Sequence, residues 1–274
     1  MRLKDKVAIV TGSTRGIGEG CVRLFYREGA RVVITGRDEI RGLSLKKEMM
    51  EKETPDEFAN ADNRCIFVKT DVSLKRDVAR LRDKTLDAFG RIDVLVNNAG
   101  INMPSPFEDL AEEAWDKVMA INLKGVFFCS QIIGREMIKQ RSGVIVNISS
   151  LASHYAFPDG GAYGPAKSAV IMITKQCAME WARYNIRVNS ISPGLIRTFM
   201  AENVYKDEKL TRARIEMIPL GRIGIPEDVA HTALFLCSDE SSFITAQDIV
   251  VDGGLLDNVF QKIPGRAKIK EEIL

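Results

Sequence analysis

The chain has 274 residues, 45% hydrophobic and 28% charged, with a formal net charge of +2. That size suits one α/β unit with a full core, and we expect a single domain over residues 1–274. The small charge argues against nucleic acid or an anionic membrane as the main partner. The five cysteines (Cys21, Cys65, Cys129, Cys177, Cys237) are odd in number, widely spaced and without a C-x-x-C pair. They read as free thiols in a reducing compartment, with no disulfide and no metal site. The N-terminus enters a strand without a secretory signal, and no apolar run approaches the ~20 residues of a membrane span. A cytoplasmic protein is the expectation.

In chain order, Val7–Val10 is a short β-branched run that ends in a glycine-rich turn, and Gly16–Glu28 has helical character. Arg31–Thr35 is a strand closed by Gly36, and Asp38–Lys52 a helix with Asp38 placed to cap it. Thr54–Arg64 is polar and reads as a loop. Ile66–Lys69 is a strand, followed by a helix over Ser73–Phe89 that Ser73 would cap and Gly90 would stop. Ile92–Val96 is a strand, Trp115–Gln140 a long helical region, and Val144–Ile148 a strand. Ala162–Tyr184 is a helix, Ile186–Ile191 a strand, Pro226–Cys237 a helix with Pro at its start, and Ile249–Val251 a last strand. Strands and helices alternate, and the strands are short, continuous and apolar. The pattern predicts a Rossmann-type, doubly wound parallel sheet of about seven strands with helices on both faces. Ligands of such sheets bind beyond the C-terminal strand ends. Gly12–Gly18, Asn97–Gly100, Ser149–Ser150 and Pro193–Thr198 all follow strands, so they gather at one edge.

The first turn reads Thr11-Gly-Ser-Thr-Arg-Gly-Ile-Gly18. Its glycines let the backbone turn sharply and approach a pyrophosphate, and the helix that follows offers free N–H groups and a positive dipole end. Tyr163 and Lys167 are four apart in a predicted helix and share a face. A tyrosine ionises near pH ~10, and a neighbouring ammonium lowers that value. Taken together, T-G-x-x-x-G-I-G, Asn97-Asn-Ala-Gly100 and Tyr163-x-x-x-Lys167 resemble the short-chain dehydrogenase/reductases, from about Lys6 to Gly254.

The resemblance implies an NAD(P)-dependent oxidoreductase that interconverts a secondary alcohol and a ketone. Tyr163 would be the general acid in reduction and the base in oxidation. Lys167 would lower the tyrosine pKa and hold the nicotinamide ribose, and Tyr163 would contact the cofactor as well. Ser150, thirteen residues before Tyr163, would hydrogen-bond the substrate oxygen, and Asn122 would hold a water linking Lys167 to solvent. The dinucleotide would lie on Gly12, Ser13, Thr14, Arg15, Gly16, Ile17 and Gly18. Asp71 and Val72 would meet the adenine, and Asn98, Ala99 and Gly100 would form a floor beneath the cofactor. Pro193, Gly194, Ile196 and Thr198 would reach the carboxamide and phosphates.

An acid at the end of the second strand would bond the NAD ribose but repel a 2′-phosphate. The family places that acid at position 36, which here is Gly36, followed by Arg37. With Arg15, Arg37 could hold a phosphate. NADP(H) is favoured and NAD(H) is the alternative. Around the substrate stand the loop with Met103 and Pro104, the loop with His154, Tyr155 and Phe157, and a lid over Phe199–Met217. His154 could touch substrate, while the lid's charges read as a solvated helix face.

The likeness is to the 3-oxoacyl-carrier-protein reductase branch, whose pattern also serves sugars, polyols, steroids and other ketones, so the alcohol or ketone stays open. Family members are mostly tetramers built on the regions Trp115–Gln140 and Ala162–Tyr184, so a homotetramer is expected. The stretch after Gly254 (255–274), with Val259, Phe260, Ile263 and Ile269, is either a frayed tail or an arm for a neighbouring subunit. A non-catalytic dinucleotide-binding regulator of the same fold would be expected to lack part of the Asn/Ser/Tyr/Lys set, which this chain keeps. An epimerase or dehydratase of the extended relatives would need another glycine spacing and a longer C-terminal domain.

Overall fold

A computed structural model describes residues 1–58, 64–199 and 202–258. Part of the expected loop at Thr54–Arg64, Met200 in the lid, and the tail residues Val259, Phe260, Ile263 and Ile269 lie outside the described residues.

Seven strands form one parallel sheet: β1 (Val7–Val10), β2 (Arg31–Gly36), β3 (Cys65–Lys69), β4 (Val94–Asn97), β5 (Gly143–Ile148), β6 (Ile186–Pro193) and β7 (Asp248–Val251). Their spatial order is β3-β2-β1-β4-β5-β6-β7. The chain winds outward from β1 in one direction and then, from β4, in the other. This reversal opens a crevice at the strand ends beside β1 and β4, where such sheets bind their ligands.

The continuous apolar runs follow from burial on two faces. Ala8, Val10, Val32 and Ile34 point into one core with Phe25 and Val229. Their neighbours Ile9 and Val33 point into the other, with Leu81, Ile133 and Met137. Side chains alternate along a strand, so both halves of the alternation must be apolar. On the first face α1 (Gly16–Arg27) packs on α9 (Pro226–Cys237). A Cβ on Gly20 would stand 3.2 Å from the Pro226 ring, so the glycine sets how closely these helices approach.

Helices α2 (Glu39–Lys52), α3 (Lys75–Phe89), α4 (Glu112–Met119), α5 (Gly125–Gln140) and α6 (Tyr163–Trp181) follow in order, then α7 (Glu202–Tyr205) and α8 (Glu208–Met217) ahead of α9. Asp38 caps α2 as expected, accepting from the Arg41 amide at 3.0 Å. Ser73 does not cap α3. Its amide and hydroxyl both donate to Asp71 Oδ1, and the helix begins two residues later behind Leu74, which makes no side-chain cap. Gly90 ends α3 with φ 74°, as a left-handed C-terminal residue.

The predicted long helix Trp115–Gln140 is divided. Between α4 and α5 the residues Ala120–Lys124 form a π turn, in which the Gly125 amide bonds the Ala120 carbonyl. β4 starts at Val94, later than expected, because the Ile92 amide donates to the Gln140 side chain instead of entering the sheet.

Candidate active site

The glycine turn is shaped by close approach. Gly12 and Gly16 have φ +62° and +61°, and a Cβ on Gly12 would lie 2.8 Å from Ala99 Cα. Thr11 Oγ1 accepts from the Asn98 and Ala99 amides at 2.9 and 3.1 Å, while Asn98 Nδ2 donates to the Thr11 and Gly12 carbonyls. The segment Asn98–Gly100 is thereby strapped to the turn. Asn97 points inward, and its Nδ2 donates to Asn147 and Ser130. Arg15 stands at the N-cap of α1 and makes no side-chain cap, so the first amides of the helix are open to an acceptor.

Together these segments border a cleft of about 660 Å³. Of the residues expected to meet a dinucleotide, Gly12, Arg15, Gly16, Ile17, Arg37, Asp71 and Val72 line it, as do Asn98, Ala99 and Gly100. Pro193, Gly194, Ile196 and Thr198 line it from the far side.

Three residues of the glycine turn do not line it. Ser13 is fully buried, and its hydroxyl accepts from the Thr35 amide at 2.9 Å. Thr14 is buried under Gly36, and its carbonyl accepts from Arg41 Nε. Gly18 is packed so tightly that a Cβ would meet Asn98 Nδ2 at 2.5 Å and the Gly12 carbonyl at 2.7 Å. These residues hold the turn to the sheet.

At the end of β2, a Cβ on Gly36 would stand 2.9 Å from Thr14 Cγ2, so a longer side chain is opposed there. Arg37 is exposed at the cleft. Arg15 pairs with Asp38 at 3.4 Å, and its guanidinium covers the Phe199 ring at 4.4 Å. Sequence reasoning missed Tyr205 and Arg214, which border the same cleft from α7 and α8. Arg214 stacks over Tyr205 at 5.8 Å. The only available signal was the uninformative one of charges in a polar helix.

The chemical groups sit at the other end of the cleft. Tyr163 opens α6 and Lys167 lies one turn on, with its nitrogen 5.8 Å from the phenol ring centre. Burial pushes the Tyr163 hydroxyl above its usual value, and a hydrogen bond with Ser150 pulls it back. Lys167 is buried, and burial lowers its pKa from 10.5 to about 8. Its Nζ donates to the Ile148 carbonyl at 2.7 Å.

Asn122 lies in the π turn and is fully buried. Its side chain both accepts from the Ile101 amide and donates to the Ile101 carbonyl, each at 2.8 Å. It therefore does not line the cleft directly. Asn122 Oδ1 and Lys167 Nζ lie 3.4 and 3.6 Å from one point above Gly100, so both polar atoms border the same small space.

His154 is a correction. It follows Ser150 closely in sequence, yet it does not line the cleft. Its Nε2 lies 2.9 Å from Asp248 Oδ2 and 3.3 Å from Ser192 Oγ, so the ring turns to the sheet edge and not to a substrate. Among the described residues no group of His, Cys, Asp and Glu side chains is placed to hold a metal, and no helix is long and apolar enough to cross a membrane.

This geometry meets known proteins over nearly its whole length. The family model described as Enoyl-(Acyl carrier protein) reductase matches residues 12–256. The 3-oxoacyl-[acyl-carrier-protein] reductase of Thermotoga maritima is 41% identical over 93% of this chain and 100% of its own. An NAD-dependent glycerol dehydrogenase of Listeria innocua is 40% identical over 92% of this chain and 94% of its own. Among solved structures, a gluconate 5-dehydrogenase from Burkholderia cenocepacia in complex with NADP and tartrate is similar with TM-score 0.85 and 34% identity, covering 93% of this chain and 97% of the other. With the glycine turn, the Tyr163/Lys167 pair and a parallel seven-stranded sheet all in place, the chain belongs to the short-chain dehydrogenase/reductase family and is an oxidoreductase that uses a nicotinamide dinucleotide.

Proposed function

We propose that this chain is an NADP(H)-preferring enzyme that interconverts a secondary alcohol and a ketone, with Tyr163 as its proton donor and acceptor. The observation that carries the reading is the cleft itself. It joins a glycine turn able to hold a dinucleotide to a half-buried tyrosine that shares the cleft with Ser150 and lies one helical turn from a buried lysine.

The cradle fits the cofactor on three counts. Gly12 leaves no room for a side chain, the start of α1 is uncapped, and Lys167 borders the cleft. Gly12, Gly16, Ile17 and the first amides of α1 would hold the pyrophosphate. Asp71 and Val72 would meet the adenine. Pro193, Gly194, Ile196 and Thr198 would close over the nicotinamide half. When bound, the nicotinamide carries the hydride.

The protein's own part is the proton. In reduction Tyr163 gives its hydroxyl proton to the carbonyl oxygen while Ser150 donates a hydrogen bond to the same oxygen. In oxidation the Tyr163 phenolate takes the proton of the alcohol. Below about pH 8, where Lys167 keeps its proton, its charge favours that phenolate, and the space shared by Lys167 and Asn122 gives the proton a route onward. Tyr163 is raised by burial, so it is protonated at neutral pH and ready to act as an acid.

The NADP(H) preference rests on Gly36, Arg37 and Arg15. Position 36 bears no acid, and Thr14 crowds it. Relatives of this chain include both an NAD-dependent dehydrogenase and an NADP complex, so these three residues carry the choice. The substrate is a 3-oxoacyl thioester or a small ketone, polyol or steroid. We further propose one domain over residues 1–274, a homotetramer and a cytoplasmic location.

The test is turnover of the purified protein with NADPH and with NADH against a ketone panel that includes acetoacetyl thioesters. NADPH should be preferred. A tenfold preference for NADH would overturn the arginine argument. Tight dinucleotide binding without turnover on any ketone or alcohol would favour a regulator.

A further inference from the structure

Asp248 stands at the start of β7 with its side chain 9% exposed, and three donors converge on it. Ser190 Oγ donates to Oδ1 at 2.5 Å, Ser192 Oγ donates to Oδ2 at 2.8 Å, and His154 Nε2 meets Oδ2 at 2.9 Å. Both serines lie on β6, and β6 ends in Pro193 at the cleft. His154 comes from the other direction, the turn that carries Ser150.

That turn is short. Ser150 Oγ accepts from the Ala152 amide at 3.2 Å, and the Ser153 amide donates to the Ser150 carbonyl at 2.9 Å. The His154 amide closes it on the Leu151 carbonyl at 3.0 Å. Beyond His154 the chain turns outward, and Tyr155 and Phe157 are 50% and 45% exposed. The Ser149 amide ties the start of the turn to β6, donating to the Ile191 carbonyl at 2.7 Å, and the ring bond from His154 to Asp248 ties its far end to the sheet edge. The cluster is not a hydrolytic relay, which needs the two ring nitrogens to face different partners. Here one nitrogen faces both the serine and the aspartate.

We propose that His154 is a positioning residue: by clamping the Ser150 turn onto Asp248 and β6, it sets the Ser150 hydroxyl against Tyr163. The proposal rests on the roles given above to Ser150 and Tyr163. The clamp acts on two things at once. It fixes the group that contacts the substrate oxygen, and it keeps the hydrogen bond that pulls the Tyr163 pKa down. The clamp is not the turn's sole tether. Ser149 Oγ bonds the Ser153 hydroxyl and the Lys167 carbonyl, and Ser168 Oγ donates to the Ser153 carbonyl. Its loss should therefore loosen the turn without unfolding it.

The experiment compares wild type, His154→Ala, His154→Gln and Tyr163→Phe in the full chain. It reads kcat, KM, dinucleotide Kd and the pH profile of alcohol oxidation. It also titrates Tyr163 directly, as the absorbance difference between each protein and its Tyr163→Phe counterpart. His154→Ala should lower kcat about tenfold, the scale of a small misplacement of a reacting group. The rise of oxidation with pH and the Tyr163 titration should both move to higher pH, and the dinucleotide Kd should stay unchanged. His154→Gln keeps an N–H that can reach Asp248 and should recover most of the loss. An unmoved Tyr163 titration in His154→Ala overturns the proposal, whatever the substrate. So does a loss of kcat that glutamine does not recover. A fully active Tyr163→Phe would instead overturn the role of Tyr163, a separate failure.

Discussion

Lys167 is maintained at a cost that its own pH dependence should expose. Burial lowers its pKa from 10.5 to about 8, which corresponds to roughly 3 kcal/mol disfavouring the charged amine in the folded state. Between pH 8 and 10.5 the unfolded chain holds a proton here that the folded chain has released, so the contribution of Lys167 to stability rises with pH across that window. Lys167→Met removes the buried charge and also the bond to the Ile148 carbonyl. Leaving that carbonyl unsatisfied costs about 1–3 kcal/mol. At pH 7 the variant should be about 1 kcal/mol more stable than wild type, the difference between those two effects. By pH 10 the advantage should have vanished or reversed, because wild type no longer carries the charge. Urea unfolding at fixed protein concentration from pH 7 to 10 reads this difference, and titrations common to both proteins cancel. A variant-minus-wild-type difference that stays flat across that range would refute the buried-charge reasoning. Activity should be lost throughout, so the lysine is retained for chemistry at the expense of stability.

Arg37→Ala should raise the KM for NADPH about tenfold and leave that for NADH nearly unchanged, since one charge-assisted contact to phosphate is worth about 1.5–3 kcal/mol. Equal effects on the two cofactors, measured by initial rates, would remove Arg37 from the 2′-phosphate. The thiols of Cys21, Cys65 and Cys129 are pushed up to about 12 by burial, and that of Cys177 to about 11. Labelling with a disulfide reagent at pH 8 should therefore be slow in the native protein and complete for all five cysteines in urea. Fast native labelling of more than one thiol would contradict the described burial.

Much of the fold is legible because its strands are buried on both faces and so read as unbroken apolar runs. The site motifs follow those strands, and the topology then assembles them without further information. What escaped was set by partners distant in sequence. Ser73 looks like a cap, but Asp71 takes both of its donors, and α3 starts at Lys75. The π turn at Asn122 interrupts what reads as one helix, because Ile101 claims both ends of the asparagine amide. His154 lies four residues from Ser150 and so invites a substrate role. The direction of its ring is decided by Asp248, 94 residues further on. Ser13 and Gly18 belong to the phosphate-binding motif yet serve its packing, a division invisible in the pattern of glycines. Arg214 reads as part of a solvated face, and only the fold of the segment after β6 brings it to the cleft.

The most direct test of the central claim is Tyr163→Phe, which removes one hydroxyl and leaves the ring and the cleft in place. With a substrate found in the ketone panel, turnover should fall at least about a hundredfold, the usual contribution of a general acid. Dinucleotide affinity, measured by fluorescence titration, should stay within about twofold of wild type, since the phosphate and adenine contacts proposed for the rest of the cleft are left in place. Turnover that matched wild type would contradict the assignment of the proton to Tyr163.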